Sequence, residues 1–291
     1  MTRRVRLDAE LVRRGLARSR QEAAEAITAG RVTVDGAVAA KAATQVLPAQ
    51  AVRVAKQESE PRYASRGAYK LAGALDALGE EAPRVQGRRA LDAGASTGGF
   101  TDVLLRRGAA HVVAVDVGYG QLAWHLRQDE RVTVLDRTNV RTLRPADVAP
   151  APELVVADLS FISLTLVLPA LVEVAAADAE FLLMVKPQFE VGRGRLGSGG
   201  VVRSPELRAE AVRGVCLAAA ELGLRTWAVA ASPLPGPSGN VEYFVGFRRR
   251  AGYGEAAGDP PAAGGLEDAE VTALNATIAR AVANGPEAGK G

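Results

Sequence analysis

Four side chains in this sequence are of the types that move protons together: Lys70 in SRGAYKL, Asp158 in LVVADLSF, Lys186 in LLMVKP and Glu242 in NVEYF. Lysine is the informative member. Only five of the 36 basic residues are lysine, at positions 41, 56, 70, 186 and 290, and all the others are arginine. Arginine keeps its proton in proteins, whereas a lysine ammonium loses one when desolvated and then works as a base. Lys186 closes the apolar run FLLMV, where a buried strand would deliver it to a cleft.

The hydrophobic pattern says how these groups are positioned. From Ser65 onward, helical and buried-strand patterns alternate, with a helix near 66–79 that carries Lys70 and strands at 89–93, 111–116, 132–136, 154–158 and 181–186. SPEL opens a further helix, with Ser204 as cap and Pro205 in the first turn; Gly223 closes it, and strands near 226–231 and 241–247 follow. Such alternation predicts a doubly wound sheet whose site lies at the carboxyl ends of its strands. Asp158 and Lys186 end the fourth and fifth strands and so share that edge. Glu242 joins them if the last strand is antiparallel.

The loop LDAGASTGGFTD, residues 91–102, leaves the first of these strands and enters a helix. Its glycines, 94, 98 and 99, allow a tight turn and close approach of a ligand to the backbone. It is not G-x-G-x-x-G, because Ser96 stands where a pyrophosphate needs glycine, and it is not a P-loop. Acids ending the first and second strands, Asp92 and Asp116, suit instead a nucleoside without phosphates, whose ribose hydroxyls a carboxylate can accept. S-adenosylmethionine is such a ligand. The expected contacts are Asp92, Ala93, Gly94, Ala95, Ser96, Gly98, Gly99, Phe100, Asp116, Val117 and Asp158, with Asp136, at the end of the third strand, on the adenine side.

Residues 1–59 read as a separate small α+β unit. A helix from Leu7 to Arg14 stops at Gly15, the capping box SRQE opens a second that stops at Gly30, and RVTVDGAVAA is a hairpin around Asp35-Gly36 with a third strand near 51–54. Eight arginines against four acids within residues 1–31 suit binding to a phosphate backbone. Arg4, Arg6, Arg18, Arg20 and Lys41 are the candidate contacts, with Arg66 at the junction. Residues 60–66 read as a linker, 67–250 as the large domain, and 251–291 as a flexible tail with one terminal helix in VTALNATIARAV. Arg193, Arg195 and Arg203 flank a glycine-rich loop at 192–200 that either closes over RNA or is an ordinary mobile loop.

Composition sets limits. With 48% apolar and 24% charged residues the chain is an ordinary globular protein, and its single cysteine, Cys216, rules out internal disulfides and multi-cysteine metal sites. The N-terminus has no apolar core of a secretory signal, and the most apolar stretch carries Asp158, Pro169 and Glu173, so a cytoplasmic protein without a membrane span is expected.

In order along the chain, YASRGAYKL, LDAGASTGGFTD, VDVGYGQL, ADLSFISL, VKPQFE and GNVEYF resemble the motifs of the TlyA (haemolysin A) family of ribosomal RNA 2′-O-methyltransferases. The N-terminal pattern resembles the RNA-binding module named after ribosomal protein S-four, and the remainder the FtsJ-like fold. The resemblance implies a Rossmann-like class I methyltransferase sheet with helices on both faces, S-adenosylmethionine as cofactor, no metal, and cytidine targets in ribosomal RNA of the small subunit, the large subunit or both. It carries a Lys-Asp-Lys-Glu tetrad onto Lys70, Asp158, Lys186 and Glu242. Lys186 is then the expected general base, oriented by Asp158 and Glu242, with Lys70 contributing electrostatics and substrate positioning. Relatives carry glutamate where this chain has Asp136. Asp158-Leu159-Ser160-Phe161 is unlike the [DN]-P-P-[YF] of base-amino methylation, and Cys216 is misplaced for cytosine carbon methylation, so an oxygen acceptor is expected. A monomer is expected too. The competing classes are a non-catalytic RNA-binding or ribosome-assembly factor and a pore-forming haemolysin.

Overall fold

The computed structural model describes residues 4–17, 19–55, 63–250 and 266–286, so Arg18 lies outside the described residues, as does the side chain of Arg193. The chain divides into two compact units, Met1–Arg62 and Tyr63–Gly291.

In the first unit, β1 (Val5–Arg6) leads into α1 (Leu7–Arg13) and α2 (Arg20–Thr28), followed by β2 (Val32–Val34), β3 (Ala37–Val38), β4 (Gln45–Val46) and β5 (Val52–Val54). Ser19 caps α2 by accepting from the Glu22 amide at 3.1 Å, as the capping box requires. Asp35 and Gly36 both have positive φ, as a type I′ turn demands, and Asp35 accepts from the Ala51 amide at 2.8 Å, tying the hairpin to β5. The sheet order is β3-β2-β5, and β1 pairs separately with β4. Leu7, Leu11, Ile27, Val32 and Val46 form the core beneath.

The second unit begins with α3 (Gly67–Leu78), β6 (Arg89–Ala93), α4 (Gly99–Arg106), β7 (His111–Val115), α5 (Trp124–Arg127), β8 (Val132–Leu135), α6 (Pro145–Val148) and β9 (Leu154–Ala157). It continues with α7 (Leu168–Val174), β10 (Glu180–Val185), α8 (Pro187–Glu190), α9 (Pro205–Glu221), β11 (Leu224–Ala231), β12 (Tyr243–Arg249) and α10 (Asp268–Ala283). The strands form one sheet of order β11-β12-β10-β9-β6-β7-β8. β6 to β10 run parallel, and β12 is antiparallel to both of its neighbours.

Alternation along the strands makes two cores. Leu91, Ala93, Val113, Val115, Val155 and Ala157 face one side, and Ala90, Val112, Ala114, Leu154 and Val156 the other, so helices cover both faces. Two expectations change. The reading of 60–66 as linker extends too far: the Ala64 amide donates to Asp102 on α4 at 2.8 Å, and Tyr63 packs edge-on against Tyr69 and under Arg106, so residues 63–66 belong to the large unit. The C-terminal helix is part of the fold and no loose tail, because α10 buries Leu274, Ile278 and Ala281 in the same core as α9 and β11. No helix of the described residues is long and apolar enough to cross a membrane.

Candidate active site

The sheet's carboxyl edge is shaped first by Gly94. Its φ is +86°, and a Cβ there would fall 2.8 Å from the Asp158 carbonyl oxygen, so the loop after β6 can lie against the end of β9 only with glycine at this position. The Gly94 and Ala95 amides both donate to the Val115 carbonyl, at 2.8 and 3.1 Å, which fixes the loop to β7. Asp116 accepts from the Ser96 amide at 2.8 Å and from the Gly118 amide at 2.7 Å, leaving each carboxylate oxygen a further lone pair.

A cavity of about 470 Å³ opens beside this loop, lined by Gly94, Ser96, Asp116, Val117, Gln121, Asn139, Val140, Leu159, Ile162 and Val167 among others. A largely apolar slot with Asp116 at one strand end and Asp158 at another fits the adenosine half of S-adenosylmethionine, with Asp116 for the ribose hydroxyls. A second cavity of about 280 Å³ adjoins it and is lined by Ser65, Arg66, Gly67, Lys70, Ala95, Gly99, Phe100, Ser160, Lys186, Pro235 and Pro237; Gly94, Ser96, Asp158 and Ser160 belong to both.

Four expected cofactor contacts lie elsewhere. Ala93 is buried in the core, and Gly98 is packed against Leu122 and Leu126. Asp136 is held through Oδ2 by Arg127 at 2.7 Å and by the Gly120 amide at 3.3 Å, and it is not among the residues that line the cavity. Asp92 is 0% exposed beneath α4, where it accepts from Thr101 Oγ1 at 2.7 Å.

Burial pushes the Asp92 carboxyl up to about 7 despite the Thr101 bond, with the charges of Asp158 and Asp116 adding to the rise. A folded-state value above the unfolded one means that the folded chain keeps a proton the unfolded chain releases. The associated stability is present below about pH 4 and is lost as pH rises through about 7. Asp92→Asn retains an acceptor for Thr101 and cannot ionise. The unfolding free energy is therefore expected to fall by less between about pH 5 and 8 in the variant than in the wild type, the difference being on the order of 1–4 kcal/mol in denaturant titrations. Identical slopes would refute a protonated Asp92.

The tetrad resolves into two ion pairs. Lys186, 8% exposed, stands at the end of β10; its Nζ lies 2.6 Å from Asp158 Oδ1 and donates to Ser160 Oγ at 2.9 Å. The directional bond is the one to Ser160, since no hydrogen-bond alignment accompanies the contact with Asp158. Lys70, 6% exposed on α3, donates to Glu242 Oε2 at 2.5 Å. The expectation that Glu242 orients Lys186 is thus replaced: Glu242 holds Lys70. Antiparallel pairing of Tyr243 with Val185 brings Glu242 to the edge where Lys186 stands, but its carboxylate, 1% exposed, meets α3. Lys70, Asp158 and Lys186 line the smaller cavity directly, and Glu242 acts through Lys70.

Ser160 and Phe161 were not anticipated as site residues. A hydroxyl two places after Asp158 at a strand end was the available signal for Ser160. Phe161 is 91% exposed at a φ of +64°, an uncommon conformation for a bulky residue, and its ring lies 5.3 Å from that of Phe189.

In the small unit, Arg6 and Arg20 converge on buried Asp8: Arg6 donates at 3.1 and 2.9 Å and Arg20 at 2.9 Å. The Arg6 guanidinium, followed by Arg20 and the Ala9 amide, holds the Asp8 carboxyl well below the usual range against the opposing effect of burial. Arg4 and Lys41 are exposed. Arg195 pairs with Glu210 at 2.6 Å, and Arg203 donates to the Ser198 carbonyl at 3.1 Å, so both help to build the loop they flank.

Residues 63–249 match the FtsJ-like methyltransferase family and residues 5–52 the S4 domain. The 16S/23S rRNA (cytidine-2′-O)-methyltransferase TlyA of Mycobacterium tuberculosis is 58% identical over 286 residues, which cover 98% of this chain and 100% of the relative. Hemolysin A of Brachyspira hyodysenteriae is 33% identical, over 84% of this chain and 99% of that one. A solved Streptococcus thermophilus protein described as a candidate hemolysin superposes with a TM-score of 0.66 at 33% identity, over 97% and 96% of the two chains. The sheet, the glycine turn and the family match together define an S-adenosylmethionine-dependent FtsJ-like methyltransferase behind an S4 domain. Within that class the chain belongs to the TlyA family.

Proposed function

We propose that this chain transfers a methyl group to the 2′-oxygen of a cytidine ribose in ribosomal RNA, working in the cytoplasm as a monomer. The observation that carries the reading is Lys186, held by Ser160 at 2.9 Å and beside Asp158 at 2.6 Å where the two cavities meet. Bound S-adenosylmethionine supplies a methyl group on a positively charged sulfur. The slot around Leu159, Ile162 and Val167 receives the adenine, and Asp116 the ribose hydroxyls.

A ribose hydroxyl is a weak nucleophile and needs its proton removed as the new carbon–oxygen bond forms. Lys186 is the group placed to take that proton, and Asp158, 2.6 Å away, stands where it stabilises the ammonium that results. Lys70 adds positive charge on the far side of the small cavity, and Glu242 fixes its position. The rest of the task is alignment. The exposed ring of Phe161 offers a face on which an unstacked base can lie, and the Arg6–Asp8–Arg20 fork offers two pre-oriented guanidiniums to phosphate oxygens.

Labelled methyl transfer to separated small and large ribosomal subunits, followed by nuclease mapping, tests the reading. The expected product is one 2′-O-methylcytidine, recognised by an alkali-resistant linkage. Label on a base, or binding without transfer, would overturn it, the second outcome favouring an RNA-binding assembly factor.

A further inference from the structure

Glu190 ends α8, the single turn that starts directly after Lys186, and it takes no part in the tetrad. Its carboxylate reaches across the cleft edge to the segment that follows β9. Oε2 accepts from Ser163 Oγ at 2.5 Å and Oε1 from the Leu164 amide at 2.9 Å. Ser163 in turn shares a hydrogen bond of 2.7 Å with Thr165 Oγ1 and caps the short 3-10 turn Leu164–Leu166. Arg195, which shares with Glu190 a hollow separate from the two active-site cavities, is paired with Glu210. Burial raises the Glu190 carboxyl above the usual range, against the Ser163 and Leu164 bonds.

Two segments therefore meet side by side: 158–164, which carries Asp158, Ser160 and Phe161, and 186–190, which carries Lys186 and Phe189. Ion pairs, hydrogen bonds and ring contacts of the described residues join them at Lys186 with Asp158 and Ser160, at Phe161 with Phe189, and at Glu190 with Ser163 and Leu164. In the proposed reaction the first contact changes as Lys186 gains a proton, and the exposed ring of the second meets substrate. Only the third has no chemical duty. It can stay fixed while the others change.

We infer that Glu190 is a positioning residue for methyl transfer: it tethers the Asp158–Ser160–Phe161 segment to the Lys186 turn and so sets the registry of base and substrate platform. The inference rests on the methyl-transfer reading. A sub-ångström loss of registry lowers the rate of the chemical step far more than it lowers binding, because alignment is what the site contributes. Glutamine can replace the tether. Its carbonyl accepts from the Leu164 amide, and its amide donates to Ser163 Oγ, whose hydrogen then turns to Thr165 Oγ1.

The test uses the full chain, single-turnover methyl transfer to ribosomal subunits and calorimetric binding of S-adenosylmethionine. Glu190→Ala is expected to lower the transfer rate about 10- to 100-fold with cofactor affinity within about threefold, and Glu190→Gln to recover to within about threefold of wild type. Ser163→Ala, which removes one of the two bonds from the other side, should fall between them. An alanine variant with wild-type rate overturns the inference, as does a glutamine variant as slow as alanine or a parallel loss of cofactor affinity. If Glu190→Ala does not fold, the glutamine and Ser163 variants decide alone: wild-type rates in both would refute the tether. A wild-type chain that transfers no label defeats the methyl-transfer reading itself, which is a different result from any variant-specific loss.

Discussion

Replacing Lys186 by alanine is expected to lower methyl transfer at least about a thousandfold while leaving S-adenosylmethionine affinity within about threefold. The two effects separate because Lys186 lines only the smaller cavity, whereas the slot for the adenosine half is walled by Asp116, Asn139, Leu159, Ile162 and their neighbours. Loss of the amine leaves Asp158 without its ion-pair partner, but the side chain is 20% exposed at the wall of both cavities, so water can enter the space the amine vacates. The fold is therefore expected to survive. Lys186→Arg sharpens the assignment. A guanidinium keeps the charge beside Asp158 but cannot give up its proton, so an arginine variant as inactive as alanine identifies the amine as the base. An arginine variant within tenfold of wild type would reassign Lys186 to electrostatic stabilisation. Initial rates with labelled cofactor and calorimetric titration on the same preparations provide both numbers.

Much of this site was legible because hydrophobic runs end where polar groups begin. Apolar runs closing on Asp158 and Lys186 mark β9 and β10, and the alternation of helices and strands places both at one edge. Pairing across the edge was not legible. That Glu242 binds Lys70 depends on the register of β12 against β10 and on the packing of α3, which residues 172 positions apart do not advertise. Asp92 misled for a local reason: in a strand buried on both faces its alternation points it under α4 instead of into the cleft, and Thr101, nine residues on, receives it. The ion pair of Asp136 with Arg127 was not legible either, because the partner is supplied by the one-turn helix α5. The role of α10 was available in principle, since Leu274, Ile278 and Ala281 follow helical spacing, but the Gly/Ala/Pro-rich stretch before them obscured it. The β1–β4 pair, with two residues in each strand, is too short to show any period.

The pair Lys70–Glu242 allows structure and chemistry to be separated. Both side chains are nearly fully buried, and their contact is among the shortest ion pairs of the described residues. Lys70→Met alone leaves a buried carboxylate without a cation and is expected to cost about 3–5 kcal/mol of stability. The double replacement Lys70→Met with Glu242→Leu removes both charges together and fills the space with apolar atoms, and such exchanges are commonly neutral or stabilising by about 1–4 kcal/mol. Denaturation of the large unit should therefore recover in the double variant. Methyl transfer should not recover, remaining at least about a hundredfold down, because Lys70 lines the cavity beside Lys186 and its charge is what the substrate meets there. If the double variant instead regains activity along with stability, the pair is scaffolding, and the chemistry rests on Lys186, Asp158 and Ser160 alone. If neither recovers, the cavity needs the ion pair to keep its shape, which crystal or solution structures of the double variant would show as a displaced α3.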